Sequence, residues 1–341
     1  MTARISVIVP CLDEAGTIGG LLAALAGQTD IDAEVEVLII DGGSTDGTQQ
    51  VVQAFAEQHP ALAIKLIENR QRTIPTALNL GIQQAKGDIL IRLDAHSAPA
   101  PDYIARCLQV LEKTGAANVG GVWRIRPGGP GWRARSIAVA AAHPLGAGDA
   151  RYRISGQAGP VETVPFGAFR REWLDRVGPF NEALLTNEDY EMNLRLRQAG
   201  GLVWFDPEIQ STYYARASLG QLARQYARYG YWKARMLLRY PASLRWRQAL
   251  PPLFALSGLG LAAAAPFSPM AAALLAVEWA LYLLALASAG VQRAVQQRQA
   301  GLIIGLPVAL VIMHLAWGAA FWVGLVAGLV RGGRQPTEAT P

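Results

Sequence analysis

DILIRLDAH, residues 88–96, is a short apolar run followed directly by an acidic residue and a histidine. The apolar run is typical of a buried strand in a parallel sheet, because such strands are covered on both faces. Asp94 and His96 then stand at the carboxyl end of that strand. A carboxylate oxygen and an imidazole nitrogen can both ligate Mn²⁺-like ions, so Asp94 and His96 are the candidate metal ligands.

Three strand–helix units precede this segment. The expected strands cover 5–9, 35–40 and 63–67, and the expected helices cover 17–25, 49–58 and 76–85. Alternating β and α units of this length predict a Rossmann-like α/β fold, with a mostly parallel sheet and helices on both faces. Ligands of such sheets bind at the carboxyl ends of the strands.

Two more polar stretches follow strand ends, Pro10 to Glu14 and residues 41–48. Glu14 can contact a ligand, or it can only favour the N-terminus of the next helix electrostatically. Asp41 can accept hydrogen bonds from a base or a ribose, and Gly43 permits close backbone approach. The second stretch is not a Walker loop, because no Lys-Ser or Lys-Thr follows its glycines. We expect the three strand ends to form one site.

Three further residues are candidates for that site. Arg72 follows the third strand and can pair with phosphate oxygens, although a solvated surface role explains it equally well. Glu188 and Asp189 begin a predicted helix over 187–199, where acidic residues are ordinary. A carboxylate there can also serve as general base for an acceptor hydroxyl.

The composition changes near residue 250. Of the 341 residues, 51% are hydrophobic and only 17% are charged, and the apolar excess lies beyond that point. Candidate membrane spans cover 250–265, 270–290 and 302–330, whereas a bilayer requires roughly 20 residues. Residues 241–249 form a basic juxtamembrane linker, and 332–341 are an expected disordered tail. Buried core helices are the alternative, which the length of two of the runs disfavours.

The net charge of +5 is concentrated beside the first apolar segment, because residues 209–277 contain no acid. Cationic flanks stay in the cytoplasm and attract anionic lipid. Nucleic-acid binding is the other interpretation of basic runs, but their position beside apolar segments favours the bilayer as partner. The apolar run at 5–9 is too short for a signal peptide, so residues 1–240 are expected in the cytoplasm. Cys11 and Cys107 lack paired spacing and are expected to be unbridged.

In chain order, these motifs resemble those of glycosyltransferase family 2. The motifs are Pro10–Glu14, Asp41–Asp46, Asp94–His96, Glu188–Asp189 and Gln225–Tyr229. The match covers nearly all of residues 1–240. The fuller pattern, which includes 163–167 and 187–193, resembles bacterial succinoglycan-type exopolysaccharide glucosyltransferases.

The resemblance implies a nucleotide-diphosphate-sugar transferase fold and an inverting displacement. Asp41 would bind the base or the ribose. Asp94, with Ala95 beside it, would orient ribose and diphosphate. His96 would hold Mg²⁺ or Mn²⁺ in place of the usual second acid, and Asp189 would be the base.

Two positions further along complete the implied donor site. Gln225 and Arg228 match the Gln-x-x-Arg-Trp pattern of membrane synthases, in which they would contact the donor diphosphate. Tyr229 replaces the Trp of that pattern. This replacement bears on whether the chain clamps the diphosphate tightly or acts processively. It does not bear on sugar transfer itself.

The predicted function is membrane-anchored transfer of a hexose, glucose foremost, from a UDP-sugar to a polyprenyl-diphosphate-linked saccharide. The setting would be exopolysaccharide or cell-surface glycan synthesis at the bacterial inner membrane, with other polysaccharide-assembly proteins as further candidate partners. Two alternatives stay open: a polyprenyl-phosphate sugar synthase, and a non-catalytic nucleotide-sugar-binding subunit of a polysaccharide export complex. A sugar-phosphate nucleotidyltransferase is disfavoured, because no Gly-rich N-terminal loop precedes an Arg and a Lys.

Overall fold

The structure is a computed structural model that describes residues 3–331. Its strands are β1 (Ala3–Cys11), β2 (Ala33–Asp41), β3 (Ala63–Glu68), β4 (Ile89–Arg92), β5 (Ala98–Pro99), β6 (Asn118–Arg126), β7 (Gly159–Pro160), β8 (Ala168–Arg170) and β9 (Val203–Tyr214). Its α-helices are α1 (Ile18–Ala26), α2 (Thr48–Gln58), α3 (Ile74–Gln84), α4 (Tyr103–Thr114), α5 (Gly131–Ala141), α6 (Pro144–Ala147), α7 (Arg151–Ile154), α8 (Arg171–Val177), α9 (Glu188–Gln198), α10 (Leu219–Arg239), α11 (Trp246–Ala264), α12 (Pro269–Gln297) and α13 (Leu302–Arg331).

All the strands join one mixed sheet in the order β3-β2-β1-β4-β8-β6-β9-β5, with β7 on β9. The four strands expected from the sequence are mutually parallel, and β6 is parallel to β9. Strand β8 is antiparallel to both β4 and β6. The predicted Rossmann-like, mostly parallel fold with a second, apolar C-terminal part is therefore confirmed.

The sheet is covered on both faces, as the near-continuous apolar strands predicted. Along β1, Val7 and Val9 belong to one buried cluster and Ile8 to the other, because successive side chains of a strand alternate between faces. Helices α1, α2 and α4 contribute to the first cluster, and α3, α8 and α9 contribute to the second. The two layers hold the carboxyl ends of β1, β2 and β4 in register at one edge of the sheet.

Strands β6 and β9 were not expected from the sequence. In β6, Gly120 and Gly121 lie where the pairing with β9 shifts register. A Cβ at position 121 would lie 1.7 Å from the carbonyl oxygen of Ile209. The glycine is therefore required by close backbone approach within the sheet.

The contacts within the chain define two units, and their boundaries differ from the expected one at residue 240. The first contains the chain up to Arg126 together with Asp149–Tyr214, and the second contains Pro127–Gly148 together with the chain from Ala215 onward. Within the second unit, α5 packs on α13. A Cβ at Gly305 would lie 2.1 Å from Oγ of Ser136, so this glycine permits the close approach of the two helices.

Helices α12 and α13 are the two in the described residues that are long and apolar enough to cross a membrane. In the most apolar stretch of each helix, the share that is buried within the protein is 6% for α12 and 39% for α13. The spans expected at 270–290 and 302–330 lie in these helices. The span expected at 250–265 lies in α11, which contains Pro251 and Pro252 and is not one of the two. Three spans therefore stay a prediction, and the expected tail at 332–341 lies outside the described residues.

Candidate active site at the carboxyl ends of the strands

The loops that follow β1 and β2 are joined by hydrogen bonds. Cys11 at the end of β1 pairs in register with Asp41 at the end of β2. The backbone N–H of Asp13 donates to Oγ of Ser44 at 2.8 Å, and the N–H of Glu14 donates to Oγ1 of Thr48, also at 2.8 Å. The structure thus brings the first two predicted polar stretches together.

Asp41 is buried, and its carboxylate holds the turn that follows β2. It accepts hydrogen bonds from the N–H groups of Gly43 and Ser44, both at 3.0 Å, and from Nε2 of Gln49 at 2.6 Å. Burial raises the pKa of Asp41, but the hydrogen bonds from Ser44, Gln49 and the backbone bring the pKa below its ordinary value. Asp41 is therefore an ionised organiser of this turn, and its contact with a base or ribose stays a prediction.

Backbone geometry explains two other predicted positions. Gly43 has a φ of 78°, in the left-handed region that glycine adopts most readily. Arg72 also has a positive φ, 59°, and its side chain is exposed. A Cβ at Gly42 would lie 3.5 Å from the Cα of Arg72, so the turn after β3 reaches the end of β2. Pro10 pairs with Ile40 inside the sheet.

Asp94, Ala95 and His96 form a turn directly after β4, closed by a 2.9 Å hydrogen bond from the N–H of Ser97 to the carbonyl of Asp94. Ala95 is buried. Nδ1 of His96 lies 2.9 Å from Oε1 of Glu14, so the imidazole of one strand end faces the carboxylate of another. Glu14, for which the sequence allowed two roles, therefore meets a predicted metal ligand.

Arg92 was not among the predicted site residues, and it connects two of the motifs. Its guanidinium is buried, with Nη2 3.3 Å from Oδ1 of Asp94 and Nη1 3.0 Å from Oε1 of Glu188. Nη1 also contacts Oδ1 of Asp189. Burial lowers the pKa of Arg92, but the carboxylates of Asp94 and Glu188 raise it above its ordinary value. The turn after β4 and the first turn of α9 thus share one cation.

A signal for Arg92 was present in the sequence. A cation at the end of an otherwise apolar buried strand requires carboxylates nearby, because leaving a buried charge unpaired costs about 3–5 kcal/mol. Asp94, two residues on, was an obvious partner. The partners on α9 lie almost a hundred residues away and could not be inferred from local pattern.

Asp94 and His96 have the chemistry to hold a divalent metal ion, and Glu14 contacts His96. In residues 3–331, no group of three or more His, Cys, Asp or Glu side chains is arranged to hold such an ion. A Mg²⁺- or Mn²⁺-like ion commonly takes one or two protein groups and completes its shell with phosphates and water. A ligating histidine usually donates its other ring N–H to a carboxylate, as the pairing of His96 with Glu14 allows. The residues therefore fit an ion that arrives with a diphosphate.

Cys11 also lies at this edge of the sheet, and its thiol is unbridged. Burial, helped by the carboxylates of Asp41 and Glu14, raises the pKa of Cys11 to about 12. The thiol is therefore protonated at neutral pH, and Cys11 does not act as a nucleophile there. Cys107 is likewise buried and unbridged, as expected.

The two remaining predicted residues lie on α10 in the second unit. Gln225 is buried, and its Nε2 donates to the hydroxyl of Tyr229 at 3.0 Å. Arg228 is exposed. Helix α10 begins with a capping box in which Ser218 and Gln221 bond each other's backbone N–H groups. A role of Gln225 and Arg228 in donor binding stays a prediction.

Solved structures share this fold. Mannosyltransferase PcManGT from Pyrobaculum calidifontis, in complex with GDP-Man and Mn²⁺, is similar over 93% of this chain and 87% of that one. The TM-score is 0.63 and the sequence identity 24%, which establishes the common fold alone.

Sequence comparisons identify relatives of nearly full length. The succinoglycan biosynthesis protein ExoA of Rhizobium meliloti (strain 1021) is 33% identical, over 93% of this chain and 93% of that protein. The dolichyl N-acetyl-alpha-D-glucosaminyl phosphate 3-beta-D-2,3-diacetamido-2,3-dideoxy-beta-D-glucuronosyltransferase of Methanococcus voltae is 26% identical, over 95% of this chain and 98% of that protein. Residues 6–178 match the family described as glycosyl transferase family 2. With a third of its residues identical to ExoA along almost the whole length, the chain belongs to glycosyl transferase family 2.

Proposed function

We propose that the chain transfers a hexose from a nucleoside-diphosphate sugar, with UDP-glucose as the foremost donor, to a lipid-linked saccharide, with inversion at the anomeric carbon. One observation carries the proposal. Asp94, a candidate ligand for a diphosphate-bound metal, and Asp189, a candidate base, contact the same buried guanidinium. A site for the leaving group and a site for the attacking group are thus neighbours at one edge of the sheet.

The donor end of the site consists of the loops after β1, β2 and β4. The turn that Asp41 organises would receive the base and ribose, and Asp94 and His96 would lie at the diphosphate. When bound, a Mg²⁺ or Mn²⁺ ion held by Asp94 and His96 would stabilise negative charge on the leaving diphosphate. Glu14, through Nδ1 of His96, would keep the imidazole oriented toward that position.

The acceptor end of the site is the first turn of α9. The carboxylate of Asp189 would take the proton of the acceptor hydroxyl. As it does so, the hydroxyl oxygen would bond to the anomeric carbon, and the bond from that carbon to the diphosphate oxygen would break. A base for this step must be partly open to the substrate, and the Asp189 side chain is 28% exposed, whereas that of Glu188 is 7% exposed. We therefore assign the base to Asp189 and give Glu188 a supporting place beside Arg92.

The second unit supports a membrane-bound acceptor. Helices α12 and α13 can cross a bilayer, and the basic stretch before α11 suits the cytoplasmic side of an inner membrane. The name of the methanococcal relative describes transfer to a sugar linked to dolichyl phosphate, and that of ExoA describes polysaccharide synthesis. A polyprenyl-diphosphate-linked saccharide combines a lipid carrier with a growing polysaccharide. Other polysaccharide-assembly proteins would act with the chain.

A transfer assay with defined acceptors tests the proposed function. The full chain in lipid nanodiscs is supplied with Mn²⁺ and labelled UDP-glucose, UDP-N-acetylglucosamine or GDP-mannose. Each donor is paired with a polyprenyl-diphosphate-linked saccharide or with polyprenyl phosphate. A lipid saccharide longer by one hexose, with release of the nucleoside diphosphate, is expected. A lipid monophosphate sugar would identify a synthase instead, and no release from any donor would favour a non-catalytic subunit.

Substitution of His96 tests whether this residue is a metal ligand. His96→Ala is expected to raise the Mn²⁺ concentration for half-maximal transfer by about 10- to 100-fold, because one of two protein ligands is lost. His96→Asp places an anionic ligand at this position. Transfer by this variant is expected to stay metal-dependent and to need a lower Mn²⁺ concentration than transfer by His96→Ala. His59→Ala is the control, because His59 is half-buried at the end of α2 and stacks on Phe55 outside the site. An unchanged Mn²⁺ requirement in His96→Ala would show that His96 is not a ligand.

A further inference from the structure

Arg92 ends β4, the last of the four mutually parallel strands and an interior strand of the sheet. β4 is paired with β1 on one side and β8 on the other, and the N–H of Arg92 donates to the carbonyl of Gly167 at 3.0 Å. The side chain is 7% exposed. The guanidinium therefore projects from a backbone position that is hydrogen-bonded to neighbouring strands on both sides.

The two terminal nitrogens of Arg92 face different parts of the site. Nη2 lies 3.3 Å from Asp94, in the turn after β4, and Nη1 contacts Glu188 at 3.0 Å and Asp189, in the first turn of α9. Nε has no hydrogen-bond partner within residues 3–331. The side chain thus uses its two outer nitrogens to connect the turn after β4 with the first turn of α9, and Asp189 lies 97 residues from Arg92 in the chain.

An ordinary structural ion pair looks different in the same unit. Arg106 pairs with Asp102 at 3.0 Å and with Glu208 at 2.9 Å, but its side chain is 40% exposed and neither partner lies in the site. Exposed pairs of this kind contribute little, because water screens them. Arg92 instead binds three carboxylates in a water-poor position. Without its charge, Asp94, Glu188 and Asp189 would repel one another.

We propose that Arg92 is a positioning residue that fixes Asp94 and Asp189 relative to each other. This inference rests on the proposed function and extends it. Asp94 lies where the diphosphate leaves, and Asp189 lies where the hydroxyl attacks. The distance between the two carboxylates therefore sets whether the hydroxyl oxygen, the anomeric carbon and the leaving diphosphate oxygen are in line. The planar fork of a guanidinium can hold both carboxylates at once, whereas a lysine ammonium is a single point of charge on a flexible stem.

Arg92→Lys tests the inference, because it keeps the charge and removes the fork. We expect kcat for transfer to fall about 100-fold, the loss that misplacement of reacting groups by about 1 Å can cause. The KM for the donor should change little, since Asp94 and His96 remain. Donor hydrolysis by water, which needs no positioned acceptor, should fall less than transfer. Arg106→Lys is the matched control. It should leave kcat for transfer, the KM for the donor and the rate of donor hydrolysis unchanged.

A double-mutant cycle separates positioning from a general structural role. If Arg92 acts through Asp189, adding Arg92→Lys to Asp189→Asn should cost much less than Arg92→Lys costs alone, because interacting residues are non-additive. Circular dichroism and the melting temperature check that each variant is folded. If Arg92→Lys does not fold, Arg92→Gln, which keeps an N–H donor and removes the charge, replaces it in the same cycle.

The outcomes that overturn the inference are distinct from failure of the function itself. A folded Arg92→Lys with near-normal kcat, parallel losses in transfer and hydrolysis, or full additivity with Asp189→Asn would each overturn the positioning role while transfer by the natural chain stands. No transfer by the natural chain with any donor would overturn the proposed function, and the role of Arg92 with it.

Discussion

Asp189→Asn is expected to lower the rate of sugar transfer by about 1,000-fold, within the range that a positioned general base contributes. The amide oxygen of asparagine can still accept the hydrogen bond from Nη1 of Arg92, so the first turn of α9 should keep its place. Donor binding, measured by calorimetric titration with Mn²⁺, should be unchanged, because Asp189 is assigned to the acceptor.

Asp175→Asn is the matched control for this substitution. Asp175 is an exposed carboxylate on α8, outside the site, and its replacement should leave both transfer and donor binding intact. Transfer at near-normal rate by Asp189→Asn would show that Asp189 is not the base. Loss of donor binding together with transfer would mean that the residue acts on the donor instead.

Asp94→Asn, unlike Asp189→Asn, is expected to weaken donor binding and transfer together. Replacing the carboxylate by an amide removes the anionic ligand of the proposed metal site, so metal-dependent donor binding should weaken by about 100-fold. Transfer should fall at least as much, since charge on the leaving diphosphate is no longer neutralised. Calorimetric titration of the donor with and without Mn²⁺ measures the effect.

Asp88→Asn provides the control for Asp94, since Asp88 precedes the same strand and its side chain is 65% exposed. It should bind the donor like the natural chain. A donor affinity in Asp94→Asn that still rises with Mn²⁺ as it does in the natural chain would contradict the assignment of Asp94 to the metal.

Much of the fold was predictable because the first half of the chain follows simple rules. The expected strand at 35–40 falls within β2, and the expected helix at 49–58 matches α2 to within one residue. Buried parallel strands are continuous apolar runs, and glycine turns mark their ends. Because the carboxyl ends of parallel strands meet at one edge, the motif positions also predicted that Asp94, Asp41 and Glu14 lie together there.

Other features depend on contacts distant in sequence and could not be predicted. Gly121 is needed in β6 because the backbone of Ile209 passes so close. Ser136 packs at Gly305, which assigns the segment 127–148 to the second unit rather than to the expected domain over 1–240. The periodicity of apolar residues within one helix does not show which distant glycine a side chain such as Ser136 packs against.

The site shows the same division between local and distant information. Residue type and strand-end position selected Asp94 as a candidate, whereas Asp189 was selected by its place at the start of a predicted helix and by the family resemblance. The hydrogen bonds that engage Asp41 in its own turn, and the shared contact of both aspartates with Arg92, follow from three-dimensional packing. The sequence thus predicted the chemical groups, and their three-dimensional contacts show what holds them in place.

In the proposed reaction, a hydroxyl activated by Asp189 displaces the diphosphate directly, on the face opposite the group held at Asp94. The anomeric configuration of the first product, determined by NMR after transfer from an α-linked nucleoside-diphosphate hexose, tests this central step most directly. A single displacement predicts a β-linked product. An α-linked product would contradict the proposed reaction, because retention of configuration requires a different path from one displacement assisted by one base.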